Sequence, residues 1–240
     1  MKWSDDGIVL STRKHGENAA IVTLLTRCHG RHSGLARGGA SSRIRGIYQT
    51  GNIVCVDWRA RLSEHLGTYT CELVTPIAAH LMTERLPLQA LISAVALAEL
   101  LLPEREPYPE VFESLGTLIG RFVSGIDWQS EYVRWEVNLL GELGYGLDLS
   151  QCAATGCTDN LIYVSPRTGR AVSASAGRPY SQKLFPLPAF LLDTNVDAAR
   201  SDVLNGLKIT GHFLSLCTHD ADAGTIPIAR RHFIDRLSRP

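Results

Sequence analysis

The sequence predicts an α+β protein in which a small N-terminal β-barrel precedes a helical body interrupted by a loop-rich insert. Three observations carry this expectation. Short apolar runs, several of them alternating and joined by turns, fill roughly the first 75 residues, as in small barrels. After Pro76 the texture changes to Leu, Ala and Glu with few β-branched residues, which favours helix. From Asp148 to Leu187 helical periodicity disappears and Ser, Gly, Thr and Pro dominate.

The barrel elements follow in order. Gly7 to Ser11 (GIVLS) and Ala19 to Thr26 (AAIVTLLT) read as strands, and the polar turn Lys14 to Asn18 makes them a hairpin. Cys28 to Gly34 (CHGRHSG) reads as a glycine turn leading into Leu35 and Ala36, and Arg37 to Arg45 (RGGASSRIR) as a loop. Ile47 to Gln49, Asn52 to Trp58 and Leu66 to Val74 complete five strands. Pro76 ends the barrel.

Leu86 to Leu102 is apolar nearly all round, as a central bundle helix is, and prolines at 103, 107 and 109 stop it. Glu110 to Val123 forms a second helix. Ser130 is placed to cap a third over Glu131 to Leu143, with Gly144 as its left-handed stop and Tyr132, Trp135, Leu139, Leu140 and Leu143 on one face. The insert holds a hairpin around Leu161 to Val172. Val196 to Leu216 and Ile228 to Leu237 return to helix.

At 240 residues the chain can bury a real core, and 45% hydrophobic with 20% charged residues is ordinary for a folded soluble protein. Met1 to Gly7 lacks a secretory pattern, so a cytoplasmic location is expected, and the interrupted run Leu86 to Leu102 reads as a buried helix rather than a membrane span. The six cysteines are irregularly spaced and are expected to stay reduced.

Charge is the most informative feature. The chain is neutral overall, yet Arg27, Arg31, Arg37, Arg43, Arg45, Arg59 and Arg61 fall in one segment with Asp57 as its only acid, a local charge of roughly +6. Concentrated positive charge points to a polyanion. Arg13 and Lys14, beside the first turn, join the same candidate set. Guanidinium groups grip phosphate by forked hydrogen bonds, and Tyr48, Trp58 and Tyr69 offer rings on which unpaired bases can stack or which fill the core.

Other motifs are weaker. Cys152 and Cys157 enclose four residues and supply half of a tetrahedral zinc set, but Ser173 and Ala176 stand where a second thiolate pair belongs, with Cys217 and His219 far along the chain. No zinc and no other cofactor is expected. Gly34 to Ser42 lacks the lysine-hydroxyl ending of a phosphate loop, and Gly144 to Gly146 follows a helix rather than a strand. No nucleophile with a nearby base and no paired acids stand out, so the sequence gives no reason to expect an enzyme.

GIVL near the start, HGRHSGLARG at 29–38, SRIRG, YQTGN, YVRWEVNLLGELGYGLDLSQC at 132–152 and YVSPRTGRAVS at 163–173 together resemble the RecO family of DNA repair and recombination mediators over nearly the whole chain. The resemblance implies an N-terminal oligonucleotide-binding (OB) fold barrel over residues 1–78, a helical domain over 79–147, a zinc-finger-like insert over 148–188 and C-terminal helices over 189–240 that complete the helical domain. Many relatives carry two cysteine pairs in the insert, and this chain departs from them in keeping only Cys152 and Cys157, so its insert is expected to be metal-free. It implies binding of single- and double-stranded DNA, strand annealing, and action with RecR to load RecA onto DNA coated by single-strand-binding protein, in the cytoplasm at the bacterial nucleoid. It also implies a site for the acidic, apolar C-terminal tail of single-strand-binding protein, with Arg134 and Arg230 gripping carboxylates and Leu139 or Leu140 as apolar floor; the other reading of Arg134 is an ion pair with Glu131 or solvent exposure on the Asn138 side. The competing classes are an RNA-binding factor on the same barrel and an adaptor that binds only protein.

Overall fold

The computed structural model describes residues 1–220 and 224–239. Five strands, β1 (Lys2–His15), β2 (Ala19–Thr26), β3 (Gly30–Ala36), β4 (Ile53–Arg59) and β5 (Thr68–Thr75), close into a barrel in the order β1-β2-β3-β5-β4. All contacts are antiparallel except the short parallel seam of β3 with β5, where Leu35 faces Thr68 and Ala36 faces Tyr69. This is the OB-fold arrangement expected from the sequence.

Three details differ from the expected strands. First, β1 starts at Lys2, because Asp5 points inward and is held there, accepting from the Cys28 backbone N–H at 2.8 Å and pairing with His29 Nδ1 at 2.9 Å. An inward acid masks the apolar alternation. Second, Gly30–Ala36 is a strand and not a turn: Gly30, His32, Gly34 and Ala36 face the interior in strict alternation. At position 34 the side chain must be absent because Tyr69 fills the space: a Cβ on Gly34 would lie 2.7 Å from its ring. Third, Ile47 to Gln49 is a turn, since the buried Asn52 side chain donates to the Gly46 and Ile47 carbonyls at 2.9 and 3.2 Å and accepts from Ala78 N at 3.0 Å. Ile44, Ile47 and Tyr48 then pack against the barrel core.

The helices are α1 (Ile77–Leu81), α2 (Arg85–Leu101), α3 (Pro109–Ser124), α4 (Trp128–Glu142), the short α5 (Ala174–Gly177), α6 (Arg200–Asp220) and α7 (Ile228–Leu237). Compactness and composition divide the chain at different points. One unit joins Met1–Ile126 to Pro227–Leu237, and the other is built on Asp127–Ile226. In the first, Ala90, Leu91, Ala94, Val95, Leu97 and Ala98 bury α2, which packs against β1 and α7. Burial on several sides is why its sequence is apolar all round. Pro109 opens α3, and Gly125 closes it in the left-handed conformation. Among the described residues no helix is long and apolar enough to cross a membrane.

In the second unit α4 begins at Trp128, ahead of the expected Glu131; Asp127 occupies the cap position and accepts from the Ser130 hydroxyl. The buried Trp128 ring draws the first turn inward. Tyr132, Val133, Trp135, Leu139 and Leu140 are buried as α4 packs on α6, and Gly206 permits the close approach of Val133. The insert forms a three-stranded sheet in the order β7-β6-β8, from β6 (Leu161–Val164), β7 (Ala171–Ser173) and β8 (Phe185–Pro186).

Two glycine substitutions test the tight barrel packing. Gly34→Ala is expected to cost about 1–3 kcal/mol, because the buried Tyr69 ring cannot retreat, whereas Gly120→Ala, exposed on α3 with nothing within 4 Å of the added Cβ, is expected to gain about 0.5–1 kcal/mol. Urea unfolding of both variants measures the difference.

Candidate nucleic-acid interface

The register of the barrel brings distant cations together. Lys2 on β1 lies opposite Arg59 on β4, which lies opposite Thr68 on β5, which in turn pairs with Leu35 on β3 two residues before Arg37. Like charges directly across a ladder repel, and Lys2 and Arg59 are both exposed. A depression of about 610 Å³ beside this row is lined by Arg37, Ile44, Ile47, Asp57, Arg59, Thr68 and Thr70 among others.

The loop carrying Arg43 and Arg45 borders the same depression and is fixed at several points. Ala40 N donates to Asn18 O at 3.1 Å, Thr12 Oγ1 donates to Tyr48 O at 2.7 Å, and Gly51 N donates to Val9 O at 2.7 Å. Asn18 lies in the turn after Arg13 and Lys14, so the structure brings the first hairpin and the arginine loop together. Arg13, Lys14, Arg37, Arg43, Arg45, Arg59 and Arg61 are exposed, and among the described residues none makes an ion pair with an acid.

Arg27 and Arg31 are used differently. Arg27 pairs with Asp6 at 3.7 Å and with Glu113 on α3, and its guanidinium lies 4.7 Å from the Phe112 ring centre. Arg31 Nε donates to Leu102 O at 2.6 Å while its Nη1 meets Glu104 at 3.6 Å. Both pin the barrel to neighbouring elements of its own unit, and so are not displayed with the rest.

The other end of the outer sheet face is acidic. Asp6, Cys55 and Glu72 are aligned across β1, β4 and β5, one step beyond the Ser4, Asp57 and Thr70 row. Burial and then the carboxylates of Asp6, Asp57 and Glu72 push the Cys55 thiol up. A polyanion is therefore favoured at one end of this face and repelled at the other.

Tyr48, Trp58 and Tyr69 are core residues, not stacking platforms: all are buried in the barrel cluster. Trp58 Nε1 donates to Leu66 O at 3.0 Å, and Tyr69 shares a 2.8 Å hydrogen bond with His32. Burial raises the Tyr69 phenol well above its ordinary pKa. Ring surface is instead available at the partly exposed His29, which stacks by one face on Trp3 with centroids 4.0 Å apart. Sequence reading passed over Lys2, Trp3 and Arg105. Trp3 carried a readable signal, an aromatic next to a cation inside an extended stretch, whereas Arg105 sits in a proline-rich loop with no pattern.

Of the four residues considered for a partner's acidic tail, Arg134, Leu139 and Leu140 lie on α4 of the second unit and Arg230 on α7 of the first. Arg134 makes ion pairs with Asp127 at 3.6 Å and Glu131 at 3.5 Å, donates to the Phe190 carbonyl at 3.3 Å, and keeps 18% of its side chain exposed. Leu139 and Leu140 are fully interior. Arg230 is buried on α7 and belongs to the other unit.

In the insert, Cys152 is buried and Cys157 exposed. Cys152 N donates to Cys157 O at 2.8 Å, and Cys152 Sγ accepts from Ser173 N at 3.3 Å, so backbone bonds and a serine hold the turn that a metal knuckle would otherwise hold. Hydrogen bonds from Ser173 and Thr155 pull the Cys152 thiol down to about 6. Among the described residues no three His, Cys, Asp or Glu side chains gather as metal ligands. Two sulfurs leave a tetrahedral ion half coordinated, so the donor set does not fit structural zinc. Elemental analysis of the purified protein is expected to find far less than one zinc per chain, with a thermal transition unchanged by chelator; one tightly held zinc would contradict this.

Comparison with known proteins gives a consistent result. Residues 1–77 match the family model described as recombination protein O N terminal, and residues 87–217 match recombination protein O C terminal. The DNA repair protein RecO of Rhodospirillum centenum is 50% identical, with all of this chain and 96% of that protein covered. That of Rhodospirillum rubrum is 44% identical, covering 100% and 97%, and that of Caulobacter vibrioides NA1000 is 46% identical, covering 99% and 98%. With both terminal regions matched and full-length relatives at this identity, the chain belongs to the RecO family.

Proposed function

We propose that this protein is a DNA-binding recombination mediator that acts in DNA repair without catalysing a reaction. It binds single- and double-stranded DNA, anneals complementary strands and, with RecR, helps load RecA onto DNA coated by single-strand-binding protein, in the cytoplasm at the nucleoid. The observation that carries the reading is the set of exposed cations around one end of an OB barrel that, among the described residues, make no ion pair with an acid. Unpaired guanidinium groups can exchange condensed counterions for phosphate contacts, which is the main source of affinity for a nucleic-acid backbone. The names of the full-length relatives support the same reading.

For the tail of single-strand-binding protein the support is narrower. Of the four residues considered, Arg134 alone keeps exposed side chain beside an aromatic ring, Phe190. A terminal carboxylate would have to compete there with Asp127 and Glu131.

Anisotropy titrations of single-stranded DNA and RNA of one sequence, at increasing salt, test the main reading. DNA binding with a steep salt slope supports it, tighter RNA binding favours an RNA factor, and no binding to either favours a protein adaptor. The triple change Arg37→Ala, Arg43→Ala, Arg45→Ala is expected to lower the slope of log affinity against log salt by about 2, at about 0.7 per lost phosphate contact. Arg27→Ala, by contrast, should leave that slope unchanged, since its guanidinium is engaged by Asp6 and Glu113. For the tail, Arg134→Gln is expected to keep affinity for bare oligonucleotide within about twofold and to weaken a tail peptide about tenfold, as loss of a charge-assisted hydrogen bond would.

A further inference from the structure

A second cavity opens on the barrel beside the basic row. It measures about 510 Å³, within the range of about 300–1,000 Å³ common to small-ligand sites, and Lys2, Trp3, His29, His32, Trp58 and Arg105 are among its lining residues. Four of its lining residues carry rings: Trp3 is stacked on Trp58 at 5.5 Å and 19° and on His29, His32 meets Trp3 edge-on at 5.1 Å, and the partly exposed His29 presents the open ring face of the stack. Asp5, the acid nearest these rings in the hydrogen-bond pattern, is already bonded to His29 and the Cys28 backbone and does not line the cavity.

We propose that this cavity is a subsite for one unpaired nucleobase of a bound strand, with Lys2 and Arg105 holding the phosphates on either side. The proposal rests on the DNA-binding reading above and goes further by assigning a place to the base. Every base has a flat π face, and stacking on aromatic rings is tolerant of base identity, so such a subsite suits a protein that must accept any sequence.

Three features favour a base over a free anion or an apolar side chain. The floor is uncharged at neutral pH, because burial, with the charges of Arg105 and His29 beside it, holds the His32 imidazole down at about 4. The rim is cationic and rigid. Arg105 N donates to Arg31 O at 2.8 Å, and its guanidinium donates to the carbonyls of Ser63, Glu64 and His65 at 2.7, 3.1 and 3.1 Å, which leaves two of its five N–H donors for a ligand. The cavity is also continuous with the basic row, since Lys2 lines it and lies opposite Arg59, which with Arg37 lines the neighbouring 610 Å³ depression. A strand laid along these cations would carry its phosphates past the cavity mouth. An apolar peptide side chain would not call for the cations, and a free phosphate would not call for the rings.

The test compares an oligothymidylate with an abasic phosphodiester of the same length, which keeps the charges and removes the bases, in anisotropy titrations on the full chain. The wild-type protein is expected to prefer the base-bearing strand by about tenfold, within the 1–3 kcal/mol typical of one stacked base. His29→Ala and Trp3→Leu should each bring that ratio close to one. If Trp3→Leu fails to give a native melting transition, His29→Ala, on the half-exposed side of the stack, carries the test. Equal wild-type binding of both strands overturns the base subsite while leaving DNA binding intact. A tenfold preference that survives in folded His29→Ala places the base elsewhere and also overturns it. Failure of both strands to bind overturns the DNA-binding reading itself, and this proposal with it.

Discussion

Closure of the barrel at the β3–β5 seam is the constraint on which the first unit depends. Only Leu35 and Ala36 pair across it, so side chains must complete the join. Gly34 leaves room for the Tyr69 ring, and Tyr69 then reaches His32, which packs in turn against Trp3 and Trp58. A larger residue at 34 would push Tyr69 out, and the parallel seam would lose its interior support. The same aromatic cluster that closes the barrel forms the walls of the 510 Å³ cavity. Trp58 and His32 thus serve both the packing of the barrel and the floor of the cavity, while Trp3 and His29 lie toward its mouth.

The arginines divide into two groups by what surrounds them. Arg27 and Arg31 sit where barrel strands meet α3 and the loop after α2, within reach of Asp6, Glu113, Glu104 and the Leu102 carbonyl. A guanidinium that loses water on packing must find acceptors in the protein, and there it does. The rest lie on strand ends, turns and the long loop, where water solvates them and acids are scarce. Sequence proximity placed all of them in one basic segment, but in the folded barrel Arg27 and Arg31 are engaged by acids, whereas among the described residues the second group makes no ion pair.

The second unit relies on a different device. Gly206 lets α6 approach Val133 on α4, and the Thr210 hydroxyl donates to the buried Glu136 carboxylate between the same two helices. Near the insert, His212 on α6 meets the Pro166 carbonyl at 2.9 Å, and Arg170 pairs with Asp148 at 3.1 Å. The insert thus has hydrogen bonds and a small sheet to order it, and the Cys152 turn is closed by the Cys152 N to Cys157 O bond and by Ser173 N donating to Cys152 Sγ.

The sequence by itself determined the class of the fold, the hairpin of β1 and β2, the position of α2 and α7, the hairpin in the insert and the basic segment, because each is written in local periodicity, turn chemistry or charge. It also carried the resemblance to the RecO family. Tertiary structure alone decided the rest. That Gly30–Ala36 is a strand followed from its pairing with β2 and β5, with Gly34 leaving room for Tyr69, and that Ile47 to Gln49 is a turn followed from the buried Asn52, which bonds to the Gly46 and Ile47 carbonyls and to Ala78 N. Which arginines are spent on ion pairs depended on acids as distant as Glu113. The juxtaposition of Lys2, Trp3, His29 and Arg105 depended on strand register and a loop anchored to carbonyls about 40 residues away. Local patterns encode what a segment prefers; the partners that consume or expose a side chain are set by which segments the closed barrel brings into contact.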